Sequence, residues 1–178
     1  MIRESCATYG AHHTMGNISG NHDQVRFASV AGGGISLNED GKEAGWTRKI
    51  GIVAENDMDN IEKIDQAYKR ALLLEVINLT IPGVPCIYQG DEYAEVGGND
   101  PDNRHMMRFD NLSDKEKQFR QEVQKLIKLR RESMPLLYGE YIPVEVSNDK
   151  LVFDRTYLGQ TIRITIDREG LTYSIEYK

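Results

Sequence analysis

Residues 81–93, Ile81-Pro-Gly-Val-Pro-Cys-Ile-Tyr-Gln-Gly-Asp-Glu-Tyr93, decide the fold class. Pro82-Gly83 ends the helical run before them, and residues 84–89 (VPCIYQ) follow as a short strand, apolar on both faces. A strand with one wet face alternates polar and apolar side chains. One that is apolar on both faces belongs to a sheet covered on both sides, as parallel sheets are. The run before Pro82, roughly residues 60–80, carries Ile64, Ala67, Tyr68, Ala71, Leu72 and Leu79 at helical spacing. Asp59, three residues before Glu62, predicts a capping-box-like start. The last turns, ALLLEVINL, are apolar nearly all round, which predicts burial on more than one side.

The same pattern occurs upstream and downstream. Residues 14–19 (TMGNIS) form a strand-like segment leading into Gly20-Asn21-His22-Asp23, and residues 84–89 lead into Gly90-Asp91-Glu92. A second helix starts at the capping box Ser113-x-x-Glu116, carries Phe119, Val123, Leu126, Ile127 and Arg130 on one stripe, and stops before Pro135. Strand, loop, helix, strand, loop, helix is a (βα)2 unit, so the fold class is α/β with a parallel sheet. After Pro135 the texture changes to YIPVEV, LVFDRTY, TIRITI and LTYSIEY, separated by turns at Ser147–Lys150, Leu158–Gln160 and Asp167–Gly170. These predict a four-stranded antiparallel meander, a small β unit over residues 135–178 that follows an α/β unit over residues 1–134.

The 178 residues have a globular composition, 39% hydrophobic and 28% charged, with mean hydropathy −0.53. A net charge of −6 and a pI near 5.3 argue against a nucleic-acid partner, which needs clustered cations. The one basic cluster, KLIKLRR at residues 125–131, has the periodicity of a solvated helix face. No apolar run is long enough to span a bilayer, and MIRESCATYGAHH has no apolar h-region. Cys86, inside an apolar run, reads as a small buried hydrophobe, and a disulfide to Cys6 stays open. Gly32-Gly33-Gly34 reads as a loop and matches no phosphate-binding glycine pattern.

Both strands end alike, in a glycine followed by adjacent polar and acidic side chains. Ligands of parallel α/β proteins bind at the carboxyl ends of strands, so His22-Asp23 and Asp91-Glu92 point to one rim facing one ligand. The loop GGNDPDNRHMMRF (97–109) adds Asn99, Asp100, Asp102, Asn103 and Arg104. Asx turns are the plain explanation of such a run. A calcium loop fails, because Arg104 stands where an oxygen ligand is required, so no metal is expected here. Carboxylates, amides, an imidazole and a guanidinium, with Trp46, Tyr88 and Tyr93 nearby in sequence, suit a polyhydroxylated ligand. Sugar hydroxyls need donors and acceptors, and sugar faces stack on rings. Glycoside hydrolysis needs a pair of carboxyl groups, ~5–5.5 Å apart in retaining enzymes, and Asp91 and Glu92 are both open as a second carboxyl beside Asp23.

GNHDQVRF (residues 20–27) resembles the strand-7 motif of the α-amylase superfamily, glycoside hydrolase family 13, and IPGVPCIYQGDEYAEVGGNDPDNRHMMRF (residues 81–109) resembles its strand-8 region. YGAHHTMGNISGNHD and EDGKEAGW look most like the neopullulanase/cyclomaltodextrinase branch. The resemblance covers essentially the whole chain. It implies the last two βα units of a (β/α)8 TIM barrel, followed by a short or truncated C-terminal β domain. It implies that Asp23 is the third catalytic carboxylate, which stabilises the oxocarbenium-like transition state, and that His22, Asp100 and Arg104 bind the sugar. Asn21 and Asp91 are implied as supporting residues.

The family's nucleophilic Asp, in a Gly-x-Arg-x-Asp pattern, and its acid Glu have no counterpart in these residues. Met1 then falls where a parent enzyme finishes its sixth unit. The resemblance therefore implies a piece of a retaining glycosidase acting on starch, maltooligosaccharides, pullulan or cyclodextrins. That piece is inactive alone and has no cofactor. A calcium ion, where the family holds one, belongs to an inserted domain not found here. The partner implied is an α-glucan, with self-association expected through strand edges that six further strands would cover. The compartment stays open among periplasmic, extracellular and cytoplasmic. A non-catalytic carbohydrate-binding module is the alternative, and an unrelated small α/β protein with structural acidic loops is a third reading.

Overall fold

The computed structural model describes residues 2–9, 15–35 and 49–178, without the side chains of Arg3 and Cys6. In chain order they form α1 (Ile2–Tyr9), β1 (Gly16–Ile18), α2 (Phe27–Gly32), α3 (Ile61–Thr80), β2 (Val84–Cys86), α4 (Asp114–Glu132) and α5 (Met134–Tyr138). Strands β3 (Glu140–Val146), β4 (Lys150–Tyr157), β5 (Gln160–Asp167) and β6 (Thr172–Tyr177) follow. Short 3₁₀ turns lie at Glu55–Asp57, Asp91–Tyr93 and Asp102–Arg104. β1 and β2 are neighbours in a two-stranded sheet, and β3-β4-β5-β6 is the antiparallel meander that the turn signals predict. The chain divides into two compact units. One contains Met1–Asn17, Leu73–Cys86 and Gln124–Lys178, the other Ile18–Leu72 and Ile87–Val123. Among the described residues no helix is long and apolar enough to cross a membrane.

In the first unit the meander separates a dry face from a wet one. Register sets Phe153 opposite Ile164 and Arg155 opposite Ile162, and Phe153, Ile162 and Ile164 are fully buried. One residue along, on the other face, Asp154 pairs with Arg163 through two bonds of 2.7 and 2.8 Å. α5 lies against β4 and β5, with Leu136 fully buried. The sequence reading has no helix here. Pro135 sits in the first turn, where a missing N–H costs nothing, and Ser133 caps it by accepting from the Leu136 N–H.

Helix α3 ends inside the first unit, with no exposed residue from Ala71 to Thr80. Its last carbonyls cannot be satisfied within the helix. Arg130 donates to the carbonyls of Leu79, Ile81 and Gly83, and Arg155 donates to that of Thr80. Lys125, Lys128 and Arg131 are exposed, as a solvated face requires, but Arg130 is buried. The carbonyls at the end of α3 take it out of the basic face.

At the start of α3 the cap is Asn60, whose Oδ1 accepts from the Lys63 N–H at 3.1 Å, one residue beyond the Asp59 that the sequence favours. The Ser113–Glu116 box of α4 forms reciprocally, at 3.3 and 2.7 Å. Both strands of the small sheet are shorter than the sequence reading. β2 stops at Cys86, and Val84 and Ile18 are exposed, so the described residues do not cover both faces of β2. Cys86 is half-buried rather than sealed in a core. Gly32 closes α2, and the loop begins only at Gly33, whose φ of 80° makes the left-handed cap. Trp46 and the Cys6 thiol lie outside the described residues.

Candidate functional site

The segment after β1 turns outward through Asn21, whose Oδ1 accepts from the Asp23 N–H at 2.8 Å. That Asx turn leaves the side chains of His22 and Asp23 61% and 70% exposed, with His22 Nε2 3.3 Å from Asp23 Oδ1. The segment after β2 brings Asp100 and Arg104 to the same place. Arg104 Nη2 lies 2.9 Å from Asp100 Oδ2 and 3.5 Å from Asp23 Oδ1, and its Nε donates to the His22 carbonyl at 3.2 Å. The four candidates from two distant stretches thus form one cluster, in which the Arg104 guanidinium joins two carboxylates and the His22 carbonyl, and the His22 imidazole lies against Asp23. Fixed acceptors and donors side by side are what vicinal hydroxyl groups require.

Beneath the cluster lies a buried polar layer. Arg26, 3% exposed, donates through Nη1 to the Gln89 carbonyl at 2.6 Å and to Asp91 Oδ1 at 3.0 Å, and through Nε to the Asn103 carbonyl at 3.1 Å. Asn103, fully buried, gives its amide to the carbonyls of His22 and Gln24, each at 2.8 Å. Asp102 accepts from the N–H groups of Ile50 and Gly98 at 3.0 and 2.7 Å, and lies 3.2 Å from His105 Nε2. Gly20 packs closely on this layer: a Cβ there would stand 2.4 Å from Asp91 Oδ2 and would push on the carboxylate that Arg26 holds. In the 97–109 loop Asn99 Oδ1 accepts from the N–H of the next residue, Asp100, at 2.9 Å, and the Asn99 carbonyl accepts from the Asp102 N–H at 2.8 Å.

Burial pushes the Asp91 carboxyl up from its ordinary 3.8 to about 6, against the pull of Arg26 and with a smaller push from Glu92. The folded value lies above the unfolded one, so the folded chain binds this proton more tightly. The resulting stabilisation is fully present below about pH 4 and is lost as the pH rises through about 6. Asp91→Asn is expected to flatten the dependence of the urea midpoint on pH across that window. An unchanged slope would mean that another group titrates there.

Three expectations change. Asp91 and Glu92, both open from sequence as a second carboxyl, are engaged elsewhere: Asp91 is held by Arg26, and Glu92 Oε2 accepts from the Gly90 N–H at 2.8 Å. Tyr93 is 1% exposed, its hydroxyl accepting from the Arg108 N–H at 3.1 Å, so it is closed to a ligand. The Tyr88 ring carries the Arg26 guanidinium 4.1 Å above its centroid. Arg26 is the contributor that a charge-on-the-surface reading passes over, and Asp102 and Asn103, expected on the rim with the rest of their loop, are closed off beneath it. Among the described residues no group of His, Cys, Asp and Glu is arranged to hold a metal ion.

No protein-family model matches the chain. The chain is 28% identical over 156 residues to a cyclomaltodextrinase of Geobacillus thermopakistaniensis, a match covering 86% of this chain and 21% of that protein. It is 34% identical over 124 residues to a maltogenic α-amylase of Bacillus acidopullulyticus, covering 67% and 19%. Among solved structures it is similar to an Anoxybacillus α-amylase, with a TM-score of 0.68 and 26% identity, over 93% of this chain and 29% of that one. An α-amylase of Geobacillus thermoleovorans, solved with acarbose, gives a TM-score of 0.62 and 26% identity, over 87% and 27%. The chain thus spans about a fifth of the length of these two curated relatives, 21% and 19%. These likenesses place the chain in the α-amylase family, glycoside hydrolase family 13, as a counterpart of its C-terminal part.

Proposed function

We propose that the chain is a working piece of a retaining glycoside hydrolase acting on α-glucans. In this reading residues 1–134 supply the last two βα units of a (β/α)8 barrel, and residues 135–178 a short C-terminal β domain. The observation that carries it is the joining of His22 and Asp23 with Asp100 and Arg104 through Arg104. Asp23 is the transition-state stabiliser: its carboxylate engages sugar hydroxyls and favours the positively charged, flattened ring. His22 bonds the same sugar unit, and Asp100 with Arg104 holds a neighbouring one. The relatives' names, cyclomaltodextrinase and maltogenic α-amylase, support starch-derived α-glucans as the substrate class.

Retention needs a nucleophile and a proton donor besides Asp23. The 178-residue chain, purified and assayed on starch, pullulan and cyclodextrins, is therefore expected to release no reducing sugar. It is expected to bind maltoheptaose in isothermal titration, with binding lost in Asp23→Ala. Turnover that disappears in Asp23→Ala would overturn the division of labour. Binding without turnover, in a protein that is whole at this length, would favour the carbohydrate-binding module. Exposed Ile18 and Val84 are apolar strand residues of the kind that further barrel strands cover. The same preparation is accordingly expected to self-associate in light scattering, and a stable monomer would count against this.

A further inference from the structure

We infer that Arg26 is the positioning residue of the rim, tethering the segment that carries His22 and Asp23 to the segment that carries Asp100 and Arg104. The inference rests on the glucan-rim reading for its ligand and on geometry for everything else. At 3% exposure Arg26 cannot reach a sugar, so its contribution runs through other residues. Its guanidinium spans the Gln89 carbonyl, Asp91 Oδ1 and the Asn103 carbonyl and stacks on Tyr88. Its own N–H donates to the Gly97 carbonyl at 2.9 Å. Asn103 completes the tether with its two bonds to the carbonyls of His22 and Gln24. A planar fork suits three acceptors in fixed directions, and a lysine ammonium does not reproduce it.

A residue that only stabilised the fold would lower stability without selectively displacing the rim. A tether predicts coupled changes on both segments. The test compares wild type, Arg26→Lys, Asn103→Ala and the double variant by two-dimensional NMR and maltoheptaose titration. The β4–β5 amides serve as an internal fold control. Expected are shifts at both Asp23 and Arg104 in each variant, unmoved β4–β5 signals, and about tenfold weaker maltoheptaose binding. The double variant is expected to bind no worse than the weaker single one, because both substitutions cut the same tether. Wild-type rim shifts and affinity in Arg26→Lys would overturn the proposal, and so would additive losses. If Arg26→Lys fails to fold, Asn103→Ala, which cuts the tether at its bonds to the His22 and Gln24 carbonyls, decides it, and wild-type rim shifts and affinity in that variant would overturn the proposal. If wild type itself binds no maltoheptaose, the glucan reading fails, and the coupled rim shifts alone decide the tether.

Discussion

Arg155→Ala is expected to remove a large share of the chain's stability. Arg155 is 1% exposed and sits on the dry face of β4, opposite Ile162. Its guanidinium donates through Nε and Nη2 to the Gly139 carbonyl at 3.1 and 2.9 Å, and through Nη1 to the carbonyl of Thr80 at the end of α3. Truncation strips these carbonyls of donors in a site too closed for water to replace them, at roughly 1–3 kcal/mol per group. It also deletes the buried three-carbon stem on the face that carries Phe153, Ile162 and Ile164, so the total is expected near ~4 kcal/mol. That is a large share of the ~5–15 kcal/mol typical of a domain. Urea unfolding followed by circular dichroism measures it. A loss below about 1 kcal/mol would mean that the guanidinium is spectator to the packing.

Arg155 also illustrates where sequence reading stops. The Ser113–Glu116 box was legible because both partners lie within one turn, and the meander because period-two alternation and turn residues are local signals. The α3 cap slipped by one residue because Asp59 and Asn60 are adjacent and chemically similar, and only the backbone path chooses between them. α2 gave no signal: six residues ending in a glycine run have too little periodicity, and Ala28, Ser29 and Ala31 are buried by tertiary packing. Arg26 and Arg155 escaped, and Arg130 fell on the apolar stripe of α4 and in the basic face alike, for a common reason. Charge predicts surface, whereas each of these guanidinium groups is held by carbonyls brought from far along the chain.

The candidate site divides in the same way. Its exposed members stand at strand ends, next to a glycine or in a polar loop, where side-chain type alone suggests contact with a ligand. That Arg26, Asp102 and Asn103 lie beneath the rim is invisible until the loops are folded against each other. Tyr93 marks the converse error. An aromatic residue close in sequence to the rim suggested a stacking platform, but its ring is enclosed and its hydroxyl serves the Arg108 backbone. Arg108 itself is committed to Glu95 at 2.9 Å and to Glu116, so this charge cluster braces the loop from behind.

Asp102→Ala is expected to abolish glucan binding without touching a sugar. The Asp102 side chain is 8% exposed, and its Oδ2 accepts from two backbone N–H groups, Ile50 and Gly98, while Oδ1 faces His105. Each orphaned N–H costs roughly 1–3 kcal/mol when no water can reach it, so the loop is expected to open rather than keep both unpaired. Opening moves Asp100 and Arg104, which flank Asp102 on either side, away from Asp23, and the rim loses its shared guanidinium. Asp102→Asn separates the two roles. With its carbonyl oxygen in the place of Oδ2 it still accepts from both N–H groups, while its amide stands where Oδ1 faced His105. It should bind maltoheptaose more weakly than wild type but more tightly than Asp102→Ala. Hydrogen exchange at the Ile50 and Gly98 amides reports the loop directly, and titration reports the rim. If Asp102→Ala exposes those amides while leaving affinity intact, the rim does not depend on this loop, and Asp100 and Arg104 are not sugar contacts.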